Sequence, residues 1–259
     1  MFITGVIGYP LKMTFSPLLH NNAFIHLGLS GQYFPLSVPE QDFETIIKTI
    51  KKLKFAGLNI TNPYKMRILK YLDGVSPVAK KIGAVNTVVI RKNKLFGENT
   101  DIYGFDKSLK EHNINITGKK IMLIGAGGVA RAIAYVIFRK KPQSFFITNR
   151  TKIKSLYLTK KYNGQPIDFK DIFTIIRNVD VVINGTSIDI HNLIFPHMKD
   201  GSVYYDTNYR FNLLNSQNIL VVNGITMLVY QAAFSFSIWT GRMPPVNIMK
   251  NAIKEVQIG

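Results

Sequence analysis

The chain has 259 residues, with 33 Lys and Arg against 15 Asp and Glu, a formal net charge of +18 and no cysteine. With 46% apolar and 19% charged residues it can bury a core, which excludes a disordered polyelectrolyte, and its length suits one large or two moderate domains. The missing cysteines exclude disulfides, thiolate metal sites and a thiol nucleophile.

In chain order, FITGVIG (2–8) reads as a buried strand. SPLLHNNAFIHLGL follows as a helix with Ser16 as a candidate N-cap and Pro17 in its first position. QYFPLSV (32–38) is strand-like, and EQDFETIIKTIKKL places Phe43, Ile46, Ile47, Ile50 and Leu53 at helical spacing. FAGLNIT (55–61) reads as a strand, and NPYKMRILKYL as a helix capped by Asn62 with Pro63 in its first turn. AVNTVVI (84–90) and KLFGENT (94–100) are strands around a turn at Lys92-Asn93. This alternation predicts an α/β layer with parallel strands.

DIYGFDKSLKEH then reads as a helix, with a domain boundary near residue 101 and a turn at Thr117-Gly118. KKIMLIG is a fully apolar strand followed at once by the helix AGGVARAIAYVIF; SFFITNR, DVVINGT, SVYYDTN and ILVVNG supply further strands with helical linkers. Together they predict a doubly wound nucleotide-binding sheet. The tail is a long apolar helix, ITMLVYQAAFSFSIWTG, then Pro244-Pro245 and an amphipathic helix that packs back on the first domain.

Residues 121–138 form the longest apolar stretch, but Arg131 near its middle and the glycines at its head suit strand-turn-helix better than a membrane span. The start, MFITGVIGYPLK, lacks the pattern of a secretory leader, so a cytoplasmic location and no membrane partner are expected. The lysines come in short groups such as Lys51-Lys52, Lys80-Lys81, Lys140-Lys141 and Lys160-Lys161. That dispersal reads as solvated helix faces, and no nucleic-acid partner is expected.

The glycine turn carries the cofactor signal. Gly125, Ala126, Gly127, Gly128, Val129 and Ala130 fit G-x-G-x-x-G/A, between an apolar strand and a helix. Such glycines let a pyrophosphate approach the helix N-terminus. An NAD enzyme places an acid at the end of the next strand to bind the ribose hydroxyls. This chain has Asn149, Arg150 and Thr151 there, then Lys152 and Lys154, cations that suit a 2′-phosphate and predict NADP.

A nicotinamide enzyme acting on a carbonyl needs a proton donor. His20, His26, His112, His191 and His197 show no metal-ligand spacing and read as surface or core residues, so no metal is expected. Lys65 falls in the first turn of the helix expected from Pro63, where the helix dipole disfavours an ammonium. Asp101 opens the next helix. Taken singly, each is equally an incidental lysine and an ordinary helix-start acid.

Their surroundings add a second kind of information. GVIGYPLKMTFSPLLHN, GLNITNPYK, GAVNTVV and GENTDIYGF, then GAGGVARA, TNRT, DVVINGTS and MLVYQAAFSFSIWTG, resemble the shikimate dehydrogenase family in order and spacing over nearly the whole chain. The resemblance implies two α/β domains separated by a cleft. An N-terminal substrate domain (1–101) would be completed by C-terminal helices (225–259), and a doubly wound Rossmann NADP-binding domain would span 102–224. The implied activity is reversible NADPH-dependent reduction of 3-dehydroshikimate to shikimate, on the way to chorismate and the aromatic amino acids.

By motif, Lys65 and Asp101 would be the catalytic pair, both touching substrate. Thr14 and Ser16 would bind the carboxylate, and Thr61, Asn86, Tyr209 and Gln231 would complete the polar shell. Gly125 to Val129 and Asn149 to Lys154 would hold the cofactor phosphates and ribose, with Thr207 and Gly224 at the nicotinamide end. Thr14 stands where the family has Ser, and Met13 where it often has His. Tyr209 is followed by Arg210 and Phe211 where the family continues Asn-Pro. The resemblance allows a monomer or a homodimer. A quinate/shikimate dehydrogenase and a catalytically weakened NADP-binding paralogue are the alternatives.

Overall fold

The chain is described by a computed structural model that covers all residues except 12, 210–212, 214–217 and 259, with side chains as far as residue 254. Along the chain run β1 (Phe2–Gly8), α1 (Ser16–His26), β2 (Gly31–Ser37), α2 (Phe43–Ile50), β3 (Gly57–Ile60), β4 (Gly74–Val75), α3 (Pro77–Ile82), β5 (Thr87–Arg91), β6 (Lys94–Glu98) and α4 (Asp101–Glu111). There follow β7 (Lys120–Ile124), α5 (Gly128–Arg139), β8 (Ser144–Thr148), α6 (Lys152–Tyr162), β9 (Gln165–Pro166), α7 (Ile172–Ile176), β10 (Val181–Asn184), α8 (His191–Ile194), β11 (Val203–Asp206), β12 (Leu220–Val222), α9 (Ile225–Thr240) and α10 (Val246–Ile258). Two compact units result, Met1–Gly104 with Leu228–Gly259, and Phe105–Met227.

The first unit holds a sheet in the order β2-β1-β3-β5-β6-β4. β2 and β3 lie parallel to β1, but β5 runs antiparallel to both β3 and β6. The expected parallel strands are present in β1, β2 and β3, and the hairpin of β5 and β6 makes the sheet mixed. Lys92 and Asn93, both at positive φ (50° and 59°), fold β5 directly back onto β6, where a parallel partner would need a crossover. Alternate residues feed opposite faces. Ile7, Leu58, Ile60 and Val88 meet Phe43, Ile47 and Ile50 of α2 on one side. Val6, Tyr33 and Val89 meet Trp239 of α9 on the other.

Two local expectations also change. Ser16 lies inside α1, with Phe15 at the cap position and no side-chain cap, because the serine hydroxyl pairs with Thr14. Residues 62–66 form turns, followed by a 3₁₀ helix over Arg67–Tyr71, in place of an α-helix capped by Asn62. The Lys65 carbonyl accepts the Val85 N–H at 2.8 Å, so it is committed to the segment that leads into β5 and does not continue a helical ladder. The dipole argument for Lys65 falls with that helix.

In the second unit every pairing is parallel, in the order β12-β11-β10-β7-β8-β9. From β7 the sheet grows through β8 to β9, then switches to β10 and grows the other way. This is the doubly wound order, with its switch point between β7 and β10. Its strands are continuous apolar runs, as burial on both faces requires. No described helix is long and apolar enough to cross a membrane, and the described residues hold no cluster of metal-ligating side chains.

Candidate active site

In the first unit, antiparallel pairing brings the end of β3, the approach to β5 and the end of β6 to the same end of the sheet. Asn86 precedes β5, Asp101 opens α4 after β6, and the Lys65 backbone is pinned beside them by Val85. Lys65 Nζ lies 2.7 Å from Asp101 Oδ2, and their side chains are only 11% and 5% exposed. A buried ion pair is costly to desolvate and is held by further hydrogen bonds. Here Asn86 Nδ2 donates to Asp101 Oδ1 at 2.8 Å and lies 3.2 Å from Gln231 Oε1 of α9. The Asn86 oxygen accepts the Thr100 N–H at 2.7 Å, which fixes the orientation of its amide.

Lys65, Asp101, Asn86 and Gln231 thus form one hydrogen-bonded cluster. Thr14 and Ser16 form a pair of their own at the head of α1, with oxygens 3.2 Å apart. Thr61 follows β3 and leads into the Lys65 turn, its N–H bonded to the Ile7 carbonyl and its methyl packed over Gly8. Chemically, the cluster offers an ammonium beside a carboxylate that retains further acceptor capacity, with amides and hydroxyls around it. That set can exchange a proton with a hydroxyl or carbonyl oxygen and bind vicinal hydroxyls.

In the second unit, the turn after β7 is built for close approach. Gly125 takes φ +115°, and a Cβ there would come within 2.9 Å of the Gly185 carbonyl oxygen, which follows β10. Gly127 is exposed, and a Cβ on it would meet nothing within 4 Å. It precedes α5 with no side chain to cap the helix, so the amides of the first turn are left for an anion. Ala126 and Gly128 are buried beneath the turn, and Val129 is half-buried.

After β8, Asn149 Nδ2 donates to the Thr151 carbonyl at 3.0 Å and closes a turn that leaves Arg150 exposed. Thr151 precedes α6 without a side-chain cap, and no acid sits in that helix's first turn, where Lys152 and Lys154 stand instead. Cations there oppose the helix dipole, and an anion would relieve them. Lys152 is shared with Asp168 at 2.9 Å, an exposed and therefore weak pair. Among the described residues, Arg150 and Lys154 form no ion pair. Open glycine, uncapped helix and unpaired cations fit a dinucleotide carrying a 2′-phosphate.

At the far strands, a Cβ on Gly224 would collide with the Thr207 carbonyl, so these two predicted residues adjoin. Tyr209 follows β11, half-buried, while Arg210 and Phe211 lie outside the described residues. What sequence reasoning missed is the support beneath. Asp206, fully buried, accepts from Asn184 Nδ2 and Tyr204 OH at 3.0 Å and from Asn208 N at 2.8 Å, and burial raises its pKa. Its signal was a polar residue ending an apolar parallel strand, as in VVIN and VYYD.

Comparison with known proteins places the geometry in a family context. The chain matches the shikimate dehydrogenase substrate binding domain over residues 6–88, the shikimate / quinate 5-dehydrogenase model over 107–201 and the shikimate 5′-dehydrogenase C-terminal domain over 224–254. It is 37% identical over 269 residues to a shikimate dehydrogenase (NADP(+)) of Carboxydothermus hydrogenoformans, covering 97% of this chain and 96% of that protein. The crystal structure of the Aquifex aeolicus shikimate dehydrogenase matches with a TM-score of 0.91 at 31% identity, over 98% of each chain. The Thermus thermophilus shikimate 5-dehydrogenase in complex with NADP(H) and shikimate matches with a TM-score of 0.88 at 30% identity, over 98% of this chain and 99% of that one.

Proposed function

The chain belongs to the shikimate dehydrogenase family, and from that premise we propose that it interconverts 3-dehydroshikimate and shikimate with NADP(H) in the cytoplasm, a step toward chorismate and the aromatic amino acids. The observation that carries the reading is the buried contact between Lys65 and Asp101. Residues 1–101 and 225–259 serve the substrate, and 102–224 serve NADP. The bound cofactor supplies or accepts the hydride. In reduction Lys65 donates a proton to the substrate oxygen as negative charge develops there, and in oxidation it removes that proton. Asp101 orients Lys65 and accepts a hydrogen bond from a substrate hydroxyl.

Thr14 donates its hydroxyl to Ser16, which leaves the Ser16 hydroxyl to donate to the substrate carboxylate and Thr14 to join it by turning from Ser16, and Thr61, Asn86 and Gln231 are assigned to the polar shell around the ring. Tyr209 is assigned to the substrate from the family resemblance alone. Gly125 to Val129 seat the pyrophosphate, Asn149 to Lys154 the 2′-phosphorylated ribose, and Thr207 and Gly224 border the nicotinamide.

An assay of shikimate with NADP⁺, repeated on Lys65→Ala, tests the assignment. Wild type is expected to reduce the cofactor, and the variant to lose about 10²–10⁴-fold in kcat, the usual contribution of a positioned acid-base group. A wild type inactive with shikimate, or a variant at full rate, defeats it. Because the family model over 107–201 covers shikimate and quinate enzymes alike, quinate belongs in the same assay. A higher kcat/KM with quinate would reassign the substrate while leaving the catalytic pair in place.

A further inference from the structure

Behind Asp101 lies a buried set of small polar side chains. Thr87, Thr100 and Ser235 are fully buried, and Asn59 nearly so. Apolar side chains of similar shape would fill these places without the cost of burying polar atoms, so their arrangement needs a reason. Asn59 and Thr87 face one another across β3 and β5, and Ser235 enters from α9.

Following the protons shows a direction. The Ser235 hydroxyl donates to the Gln231 carbonyl, one turn earlier in α9, at 2.9 Å. With that proton committed, its oxygen can accept from the hydroxyls of Thr87 at 2.8 Å and Thr100 at 3.0 Å, while Asn59 Nδ2, 3.1 Å away, has the Asn86 carbonyl at 3.1 Å and the Thr87 oxygen at 3.2 Å as its acceptors. A Thr100 hydroxyl that donates to Ser235 presents its own oxygen to Asn86 Nδ2, 2.9 Å away. The other amide hydrogen of Asn86 goes to Asp101. An Asn86 flipped end for end would set its oxygen against the Asp101 carboxylate and its amino group against the Thr100 N–H.

We infer that Ser235, together with Thr87, is a positioning residue for the reaction: Ser235 orients Thr100, Thr87 lies 3.1 Å from both the Thr100 hydroxyl and Asn86 Oδ1, and the Asn86 amide they fix holds Asp101 against Lys65. The inference rests on the reading of Lys65 and Asp101 as the reacting pair. Neither hydroxyl is placed to touch substrate, so both act through Asn86.

The test measures shikimate oxidation by wild type, Ser235→Ala, Thr87→Val and Thr87→Ser. Losing one buried hydrogen bond in the relay is expected to lower kcat about five- to tenfold in Ser235→Ala and Thr87→Val. The solvent isotope effect on kcat should grow, because proton transfer becomes slower, while KM for shikimate stays near the wild-type value. Thr87→Ser, which keeps the hydroxyl, should stay close to wild type. A smaller folded fraction would scale kcat without moving the isotope effect. If Thr87→Val does not fold, Ser235→Ala decides.

A folded Ser235→Ala with wild-type kcat and isotope effect overturns the inference, as does a Thr87→Ser as slow as Thr87→Val. Hydrogen exchange of the Asn86 side-chain amide, followed by NMR, separates this outcome from failure of the functional reading. It should quicken in Ser235→Ala whether or not shikimate is the substrate, and an unchanged rate also overturns the inference.

Discussion

His20 shows how much one residue can weigh in a fold. It is fully buried, its ring stacks on Tyr33 at 4.2 Å between centroids, and it lies near Phe236 and Trp239. Neither ring nitrogen has a hydrogen-bond partner among the described residues. Burial lowers its pKa from 6.5 to about 3. Below pH 6.5 the unfolded chain takes up a proton that the folded chain refuses. The neutral ring's contribution is therefore complete above pH 6.5 and declines as pH falls toward 3. At pH 5 the loss is about 2 kcal/mol, from roughly 1.4 kcal/mol per pH unit. Urea unfolding of wild type and His20→Phe at pH 7 and pH 5 checks this. The substitution should remove about that much of the acid destabilisation, and equal losses in both proteins would show that His20 is not the titrating group. The sequence allowed a core position for this histidine but could not show its unpartnered nitrogens. Thr87 and Ser235 were silent for a related reason, since a hydroxyl in a strand or helix looks ordinary until its neighbours are known.

At the scale of elements, legibility followed the range of the forces involved. The segment from β7 through the glycine turn to α5 was readable because strand period, φ requirement and helix start lie within twenty consecutive residues. The segment after β3 was misread because its fate is set by Val85, twenty positions beyond Lys65, which claims the carbonyl a helix would have used. The β8–α6 turn is again local and carries a prediction. Arg150 is exposed after the strand and unpaired among the described residues, while Lys152 is already shared with Asp168. Arg150→Gln should therefore raise KM for NADP about tenfold to a hundredfold, the worth of a charge-assisted hydrogen bond, and leave KM for NAD nearly unchanged. Steady-state kinetics with both cofactors reads this directly. Parallel losses with NADP and NAD would move the 2′-phosphate away from this turn.

For the whole molecule, the +18 charge is a field rather than a footprint. Its lysines are dispersed, and a few acids draw several of them into surface pairs, exposed for Lys48 with Glu44 and half-buried at Asp106, which Lys110 and Lys140 share. Such pairs add little stability. The uncompensated remainder surrounds the protein with positive potential, and both proposed reactants are anions. Encounter should then be steered electrostatically, an effect that operates over a Debye length of about 30 Å at 0.01 M salt and about 8 Å at 0.15 M. Raising salt between those limits should lower kcat/KM for NADP⁺ several-fold while kcat, which begins from bound reactants, changes much less. The slope should be steeper for NADP⁺ than for NAD⁺, because the 2′-phosphate adds roughly 1.5–2 negative charges. Identical slopes would mean that general attraction acts alone and that the cations after β8 do not discriminate. A salt-independent kcat/KM would mean that the excess lysines have no part in capturing reactants.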